Sequence, residues 1–194
     1  MLDKILKADY VLASVSPRRK HLLRQIGLKF VSVDSNFEEE KSGSHPLASV
    51  RKNARMKSRA VIPHHDKKII ISADTIVVLE KRILNKPRSL NEAVRFLELL
   101  SGRTHIVYTG INVINLSTGI EKFGYEKTAV EFRKLSREEI KFYVRKYKPL
   151  DKAGAYGIQD DFGCLFIKRI KGDYYNVVGL PLVKLYELIQ ETIR

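Results

Sequence analysis

The segment Ser14-Val15-Ser16-Pro17-Arg18-Arg19 gathers two hydroxyls, a proline and two guanidinium groups into six residues. It follows the apolar run Tyr10-Val11-Leu12-Ala13, which reads as a buried strand ending at Ser14. Proline is favoured in the first turn of a helix, so the pattern predicts a strand running directly into a helix N-terminus. Such a terminus presents unpaired N–H groups and the positive end of a dipole, which suit a phosphate. Ser14 and Ser16 add hydroxyl donors. Arg18 and Arg19 add forked donors that fit phosphate oxygens two at a time. The same residues also suit a plain helix cap followed by solvated arginines.

A second candidate is Asp74, a carboxylate inside the apolar run Ile69 to Leu79. A charge there is costly unless it is paired or bound to metal. The run is read as broken at Asp74, which could then hold Mg2+ or activate water beside phosphates. Glu38-Glu39-Glu40 offers carboxylates for the same ion, or is a solvated charge run. Lys57 and Lys86 are further phosphate candidates, although single lysines usually sit on the surface. The stretch Asp151-Lys152-Ala153-Gly154-Ala155-Tyr156-Gly157-Ile158-Gln159 brings close-spaced glycines and ends on Gln159. That amide has the donor and acceptor needed to read a base edge. Gly172-Asp173-Tyr174-Tyr175-Asn176-Val177-Val178-Gly179-Leu180-Pro181 follows. Neither stretch matches the Rossmann or Walker phosphate fingerprints.

These residues need elements to hold them. Gly27 ends the helix that Pro17 opens, and Phe30 to Val33 alternates as a second strand. Asn36 to Pro46 reads as a polar loop, and Leu47 to Val61 as a basic helix stopping before Pro63. Glu80-Lys81 turns the long β run back into Arg82-Ile83-Leu84. Ser89 caps a helix from Leu90 to Leu100, with Glu92 in capping-box position. Strands Ile106 to Asn115 and Gly119 to Phe132 form a long hairpin. Ser136 caps the next helix, with Glu138 and Glu139 in its first turn. A glycine-rich loop spans Ala153 to Gly163, Cys164 to Ile170 is a strand, and Pro181 opens the last helix. Helices mixed with a long hairpin predict an α/β fold on a mixed sheet.

The chain of 194 residues suits one domain with a sizeable core. No run approaches the length of a membrane span, and the first residues lack a signal-peptide pattern, so a cytoplasmic location is expected. Cys164 is the only cysteine, which excludes an intramolecular disulfide and a four-cysteine zinc site. His21, His45, His64, His65 and His105 lack metal-ligand spacing, and His64-His65 reads as a solvated loop. The net charge of +14 favours an anionic partner. The basic residues are spread along the chain, however, so charge alone does not point to nucleic acid.

Taken in order, the segments resemble the Maf family of nucleoside triphosphate pyrophosphatases, also called septum formation proteins. The resemblance covers nearly the whole chain. It rests on Leu12 to Arg19, Ala73-Asp74-Thr75-Ile76-Val77, Lys86-Pro87, Leu100-Ser101-Gly102-Arg103-Thr104-His105, Tyr108-Thr109-Gly110, Asp151 to Gln159, and Asn176 to Pro181. It implies an inosine-triphosphatase-like fold: a single domain over 1–194 with a long, twisted mixed sheet, flanking helices and a cleft between two lobes. It implies attack of water at the α-phosphate with a divalent cation, Mg2+ or in its place Mn2+ or Co2+. Asp74 falls on the catalytic aspartate and, with Glu39, on the metal-holding positions. Ser14, Ser16, Arg18, Arg19, Lys57 and Lys86 fall on substrate-binding positions. Arg18, Thr75 and Gln159 match the specificity set of the dTTP/UTP branch; the 7-methyl-GTP branch differs there. CTP and modified pyrimidine nucleotides are further candidate substrates. A homodimer is expected. The competing reading is a nucleic-acid-binding or cell-division regulatory protein with a secondary nucleotide site. One departure stands out: Tyr147-Lys148-Pro149 replaces the family's Gly-Glu-Pro, and a reversed charge is expected near the cleft.

Overall fold

The computed structural model describes residues 1–38, 45–65, 68–159 and 161–194. Fourteen regular elements alternate along it: α1 (Leu2–Lys7), β1 (Tyr10–Leu12), α2 (Pro17–Gln25), β2 (Phe30–Ser32), α3 (Pro46–Val61), β3 (Ile69–Leu79), β4 (Arg82–Leu84), α4 (Leu90–Leu100), β5 (Thr104–Asn115), β6 (Ile120–Phe132), α5 (Arg137–Tyr147), β7 (Ile167–Lys171), α6 (Tyr174–Val178) and α7 (Leu182–Ile193). The seven strands form one mixed sheet in the order β2-β1-β3-β5-β6-β7, with β4 added beside β3. β1 runs parallel to β2 and β3, and the other pairs are antiparallel. The expected mixed α/β architecture with flanking helices is therefore the one observed.

β3 sets the position of everything else. One edge pairs with β5 over almost its full length, from Ile69 opposite Asn115 to Val78 opposite Ile106. The other edge is shared: β1 covers Ile69 to Ile71, and β4 covers Val77 to Leu79. Between them, residues 72–76 have no strand partner on that side. Side chains alternate across a strand. Ile69, Ile71 and Ala73 therefore join one core, with Leu12, Leu22, Leu23, Leu185 and Leu188. Val77 and Leu79, on the same face, join another, with Leu97, Leu100, Phe132, Tyr143 and Phe166. Thr75 falls between the two cores. On the opposite face Ile70, Ile76 and Val78 pack under α3 against Val50 and Val61.

Several expectations change. β3 is continuous through Asp74, which pairs with Gly110. No break is needed because α3 supplies the carboxylate with partners. Cys164 lies in a 3-10 segment, Asp161–Phe166, and the strand starts only at Ile167. A Cβ on Gly163 would sit 2.9 Å from the Gly157 carbonyl oxygen and 3.0 Å from the Tyr143 hydroxyl, so this stretch packs too closely for a larger residue there. Glu92 accepts the N–H of Arg88 (2.6 Å), not that of the cap residue, while Ser89 takes the N–H of Glu92 (3.1 Å). Ser136 and Glu139 form the full reciprocal box. The short helices α1 and α6 carried too little periodicity to be foreseen. His65 is half-buried, with Nε2 out of contact with solvent. Lys148 is exposed in a left-handed conformation at the end of α5 (φ 44°, ψ 61°), outside the lining of the cleft. The reversed charge at Lys148 is therefore not part of the cleft lining.

Candidate active site

A cleft of about 380 Å3 opens at the gap in the β3 edge. All nine of the sequence-derived catalytic and substrate-binding residues that lie within the described chain line it: Ser14, Ser16, Arg18, Arg19, Lys57, Asp74, Thr75, Lys86 and Gln159. β1 stops at Leu12, and Ala13 donates one last hydrogen bond to Ile71 O (2.8 Å). The chain then leaves the sheet and turns into α2. Ser14 Oγ accepts the N–H of Ser16 (3.3 Å), and Pro17 occupies the first turn of a helix that no side chain caps. This is the strand-to-helix turn that the residue pattern predicts. Glu39 lies outside the described residues.

Asp74 projects onto the α3 face. Asn53 and Lys57 stand four apart on α3, hence on one side of the helix. Lys57 Nζ lies 2.7 Å from Asp74 Oδ1, with side-chain exposures of only 8% and 3%. Asn53 Nδ2 donates to Asp74 Oδ2 at 3.0 Å. The charge is thus neutralised and both carboxylate oxygens are oriented. Close approach of α3 depends on Gly110, opposite Asp74: a Cβ there would sit 3.0 Å from the Val50 carbonyl oxygen. Giving its NH2 to the carboxylate turns the Asn53 oxygen away from Asp74, and that oxygen is buried without a hydrogen bond.

Thr75, on the other face, lies between the two cores. Arg19 NH2 donates to Thr75 Oγ1 (3.0 Å), its Nε to the Gly179 carbonyl (2.8 Å) and its NH1 to Ser14 Oγ (3.3 Å). Arg19 therefore ties the α2 turn to β3 and to the end of α6. Arg18 instead crosses the cleft: NH1 reaches Asp151 Oδ2 (2.9 Å) and NH2 reaches Asp151 O (3.2 Å). Lys152 Nζ holds the other oxygen of Asp151 at 3.0 Å. Partial burial pushes the Asp151 carboxyl up, but Lys152 and Arg18 together outweigh it and hold the group below the usual carboxylate range. Behind this loop the Tyr156 hydroxyl bonds His105 Nε2 (2.7 Å), and both rings pack edge-on against Phe132. Burial pushes His105 down to about 4 and raises the Tyr156 phenol.

The chemistry available is consistent across the cleft. The lining combines cations and a helix N-terminus suited to a polyanion, an oriented carboxylate, and the hydroxyl of Thr75 and amide of Gln159. Residues missed in the sequence are Asn53, Thr109, Asn176 and Asp151. Asn53 stands one helical turn before Lys57, a spacing that carries no signal until the partner carboxylate is known. Asp151 and Asn176 lay in the quoted motifs without an assigned task.

Residues 9–192 match the model of the Maf-like protein family. The chain belongs to that family. It is 48% identical over 180 residues to the dTTP/UTP pyrophosphatase of Moorella thermoacetica, covering 92% of each chain. It is 42% identical over 181 residues to the dTTP/UTP pyrophosphatase of Thermosipho melanesiensis, covering 93% of this chain and 96% of that one. Among solved structures, the Ham1 protein of Staphylococcus aureus aligns at 17% identity and TM-score 0.47, covering 64% of this chain and 71% of that one. Among the described residues, no helix is long and apolar enough to cross a membrane.

Proposed function

We propose that this Maf-like protein hydrolyses dTTP and UTP to the nucleoside monophosphate and pyrophosphate. The observation that carries this reading is a cleft lined together by the oriented, buried Asp74 carboxylate, the turn into α2 with Arg18 and Arg19, Lys57, Lys86, Thr75 and Gln159. The names of the relatives agree with it. The triphosphate lies along the α2 N-terminus, with Ser14, Ser16, Arg18, Lys57 and Lys86 as donors. Lys57 carries three N–H donors, so it can serve Asp74 and a phosphate oxygen together. Asp74 takes a proton from water as the water oxygen bonds to the α-phosphorus. The α–β anhydride bond breaks and pyrophosphate leaves with the electron pair. Most of the acceleration comes from positioning and fixed charge.

Carboxylate oxygens in the cleft lining support a reading with a hard divalent cation. Asp74 and Asp34 both line the cleft, and Mg2+ commonly takes only one or two carboxylates besides substrate phosphate and water. Asp74, Asp34 and Glu39 are the proposed holders; Mn2+ and Co2+ suit the same oxygens. The bound cation would neutralise charge building on the phosphates. Arg18, Thr75 and Gln159 read the base. A homodimer and a cytoplasmic location complete the proposal, checked by sedimentation equilibrium and cell fractionation.

The test incubates purified protein with dTTP, UTP and 7-methyl-GTP plus Mg2+, resolving pyrophosphate from orthophosphate. Pyrophosphate from the pyrimidine nucleotides is expected. Orthophosphate alone refutes the reaction type, and preference for 7-methyl-GTP refutes the base assignment. Full activity in Asp74→Asn removes the role given to that carboxylate.

A further inference from the structure

The outer edge of β6 is only partly covered. β7 pairs with it from Ala129 to Phe132, and among the described residues no strand pairs with Ile120 to Thr128 on that side. On the inner side the same stretch is paired residue for residue with β5, whose Ile111 to Asn115 are buried. Ile120 to Lys127, by contrast, are all half-buried or exposed. The chain leaving β7 does not fill the gap. Asp173 bonds the Thr128 hydroxyl through its N–H (3.1 Å) and its carbonyl (3.0 Å), and α6 starts there. Such an edge presents a row of N–H and C=O groups able to take another strand.

The open stretch reads Glu121-Lys122-Phe123-Gly124-Tyr125-Glu126-Lys127. Laid antiparallel against a second copy, with Gly124 opposite Gly124, this sequence is its own complement. Glu121 meets Lys127, Lys122 meets Glu126 and Phe123 meets Tyr125, each twice by symmetry. The faces agree as well. Lys122 and Glu126 lie on the α7 side, beside Glu191 (3.4 Å) and Lys184 (4.0 Å), and a Cβ on Gly124 between them would face Lys184 and Leu188. Glu121 and Phe123 lie on the α3 side, where Arg55 reaches both. Tyr125 and Lys127 share that side by alternation. Moving the two-fold axis by one residue, onto Phe123 or Tyr125, leaves no charge opposite another. Moving it by two, onto Lys122 or Glu126, sets like charges face to face.

Charged side chains on a free edge often serve only to keep other strands away. A run of one sign does that in every register. The alternating signs here repel a second copy in some registers and attract it in one. We propose that the open edge of β6 is the homodimer interface, two copies joining about a two-fold axis at Gly124 into one continuous antiparallel sheet. This inference rests on the homodimer proposed above and names its surface. Directly opposed pairs of opposite charge or of aromatic rings stabilise antiparallel pairing, and like charges in those places oppose it. No residue from Ile120 to Lys127 lines the cleft, so the pairing leaves the nucleotide site open.

Sedimentation equilibrium measures the Kd of the wild type, expected to be a dimer. Lys122→Glu sets Glu opposite Glu126 twice and is expected to weaken association roughly tenfold or more. Lys122→Glu/Glu126→Lys exchanges the two signs and is expected to restore it. The exchange also reverses the contacts to Glu191 and Lys184, but those are exposed pairs of little weight. Cysteine cross-linking reads the register directly, in a Cys164→Ser background with oxidised glutathione. Lys122→Cys mixed with Glu126→Cys is expected to give a disulfide-linked dimer, since directly opposed residues have Cα atoms about 4.5–5.5 Å apart. Neither variant alone should do so, because each cysteine then lies four residues, about 13 Å, from its copy. A wild type that stays monomeric overturns the homodimer reading and this inference with it. A dimer whose Kd is unmoved in Lys122→Glu, or is not restored by the exchange, overturns this inference alone and leaves the homodimer to another face. So does a mixed cross-link no stronger than the unmixed ones, and that result decides by itself should Lys122→Glu not fold.

Discussion

Replacing Lys57 with methionine leaves the Asp74 carboxylate buried without its cation. The two groups sit 2.7 Å apart with almost no solvent exposure. Removing one partner of a buried ion pair costs about 3–5 kcal/mol, because the remaining charge is still desolvated. Asn53 still donates to Asp74 Oδ2 at 3.0 Å, and the cleft brings water near the carboxylate, so the lower end applies: about 3 kcal/mol. Asp74→Asn takes the opposing charge away from the buried Lys57 ammonium. Removing both charges in Lys57→Met/Asp74→Asn relieves the penalty, and the double variant is expected within about 1 kcal/mol of the wild type. The coupling between the sites would then be several kcal/mol. Urea unfolding at neutral pH, followed by circular dichroism, measures all four proteins. By heat, a loss of about 3 kcal/mol in a chain of this length lowers Tm by roughly 6–12 °C. A single Lys57→Met variant within about 1 kcal/mol of the wild type refutes the reasoning. So does a double variant whose loss equals the sum of the singles, since the pair would then not be a compensated unit.

His105 gives a pH prediction. Its folded-state value, about 4, lies below its ordinary 6.5, so the unfolded chain takes up the proton first. The stability tied to the neutral ring is full above about pH 6.5 and is lost as pH falls toward 4, by up to about 3 kcal/mol. Urea midpoints across that range should fall, and His105→Phe should flatten the slope. Gly110→Ala places a methyl 3.0 Å from the Val50 carbonyl and 3.1 Å from Phe123, and is expected to cost about 1–3 kcal/mol. By lifting α3 it should also lower kcat more than the stability loss implies, as measured below the unfolding transition. Lys148→Gly relieves a left-handed lysine at the end of α5 and should stabilise by about 0.5–1 kcal/mol in the same urea assay, with kcat unchanged.

Much of the site was legible because its chemistry is local. Pro17 after an apolar run can hardly mark anything but a helix start, and α2 begins there. The cap residues Ser89 and Ser136 act within one turn, and both helices begin where those residues place them. Asp74 was legible as an anomaly but misread as a break. Periodicity reports burial along one chain, and the compensation came from Asn53 and Lys57 on another element. A lone asparagine on a basic helix gives no sign of facing a carboxylate until the helix is laid on the sheet. Thr109 and Asn176 were hidden for a similar reason, since the hydrogen bonds from Thr75 through Thr109 to the Asn176 carbonyl are assembled from β3, β5 and α6.

Arg18 and Arg19 show how far such assignments depend on the partners. In sequence they are adjacent and chemically identical, and both read as phosphate ligands. In the fold, Arg19 spends its Nε and one donor of each terminal nitrogen on Gly179, Ser14 and Thr75, inside the protein. Arg18 reaches across the open cleft to Asp151, at a site where side chains and solvent both compete for it. The first arrangement fixes the shape of the base-reading wall. The second can be exchanged when a polyanion enters, because Asp151 keeps Lys152 as a partner. Changing Arg19 should therefore disturb base choice indirectly, through Thr75, whereas changing Arg18 should weaken the hold on the triphosphate and the reading of the base together. One helical step separates the two residues, and it turns them toward different partners.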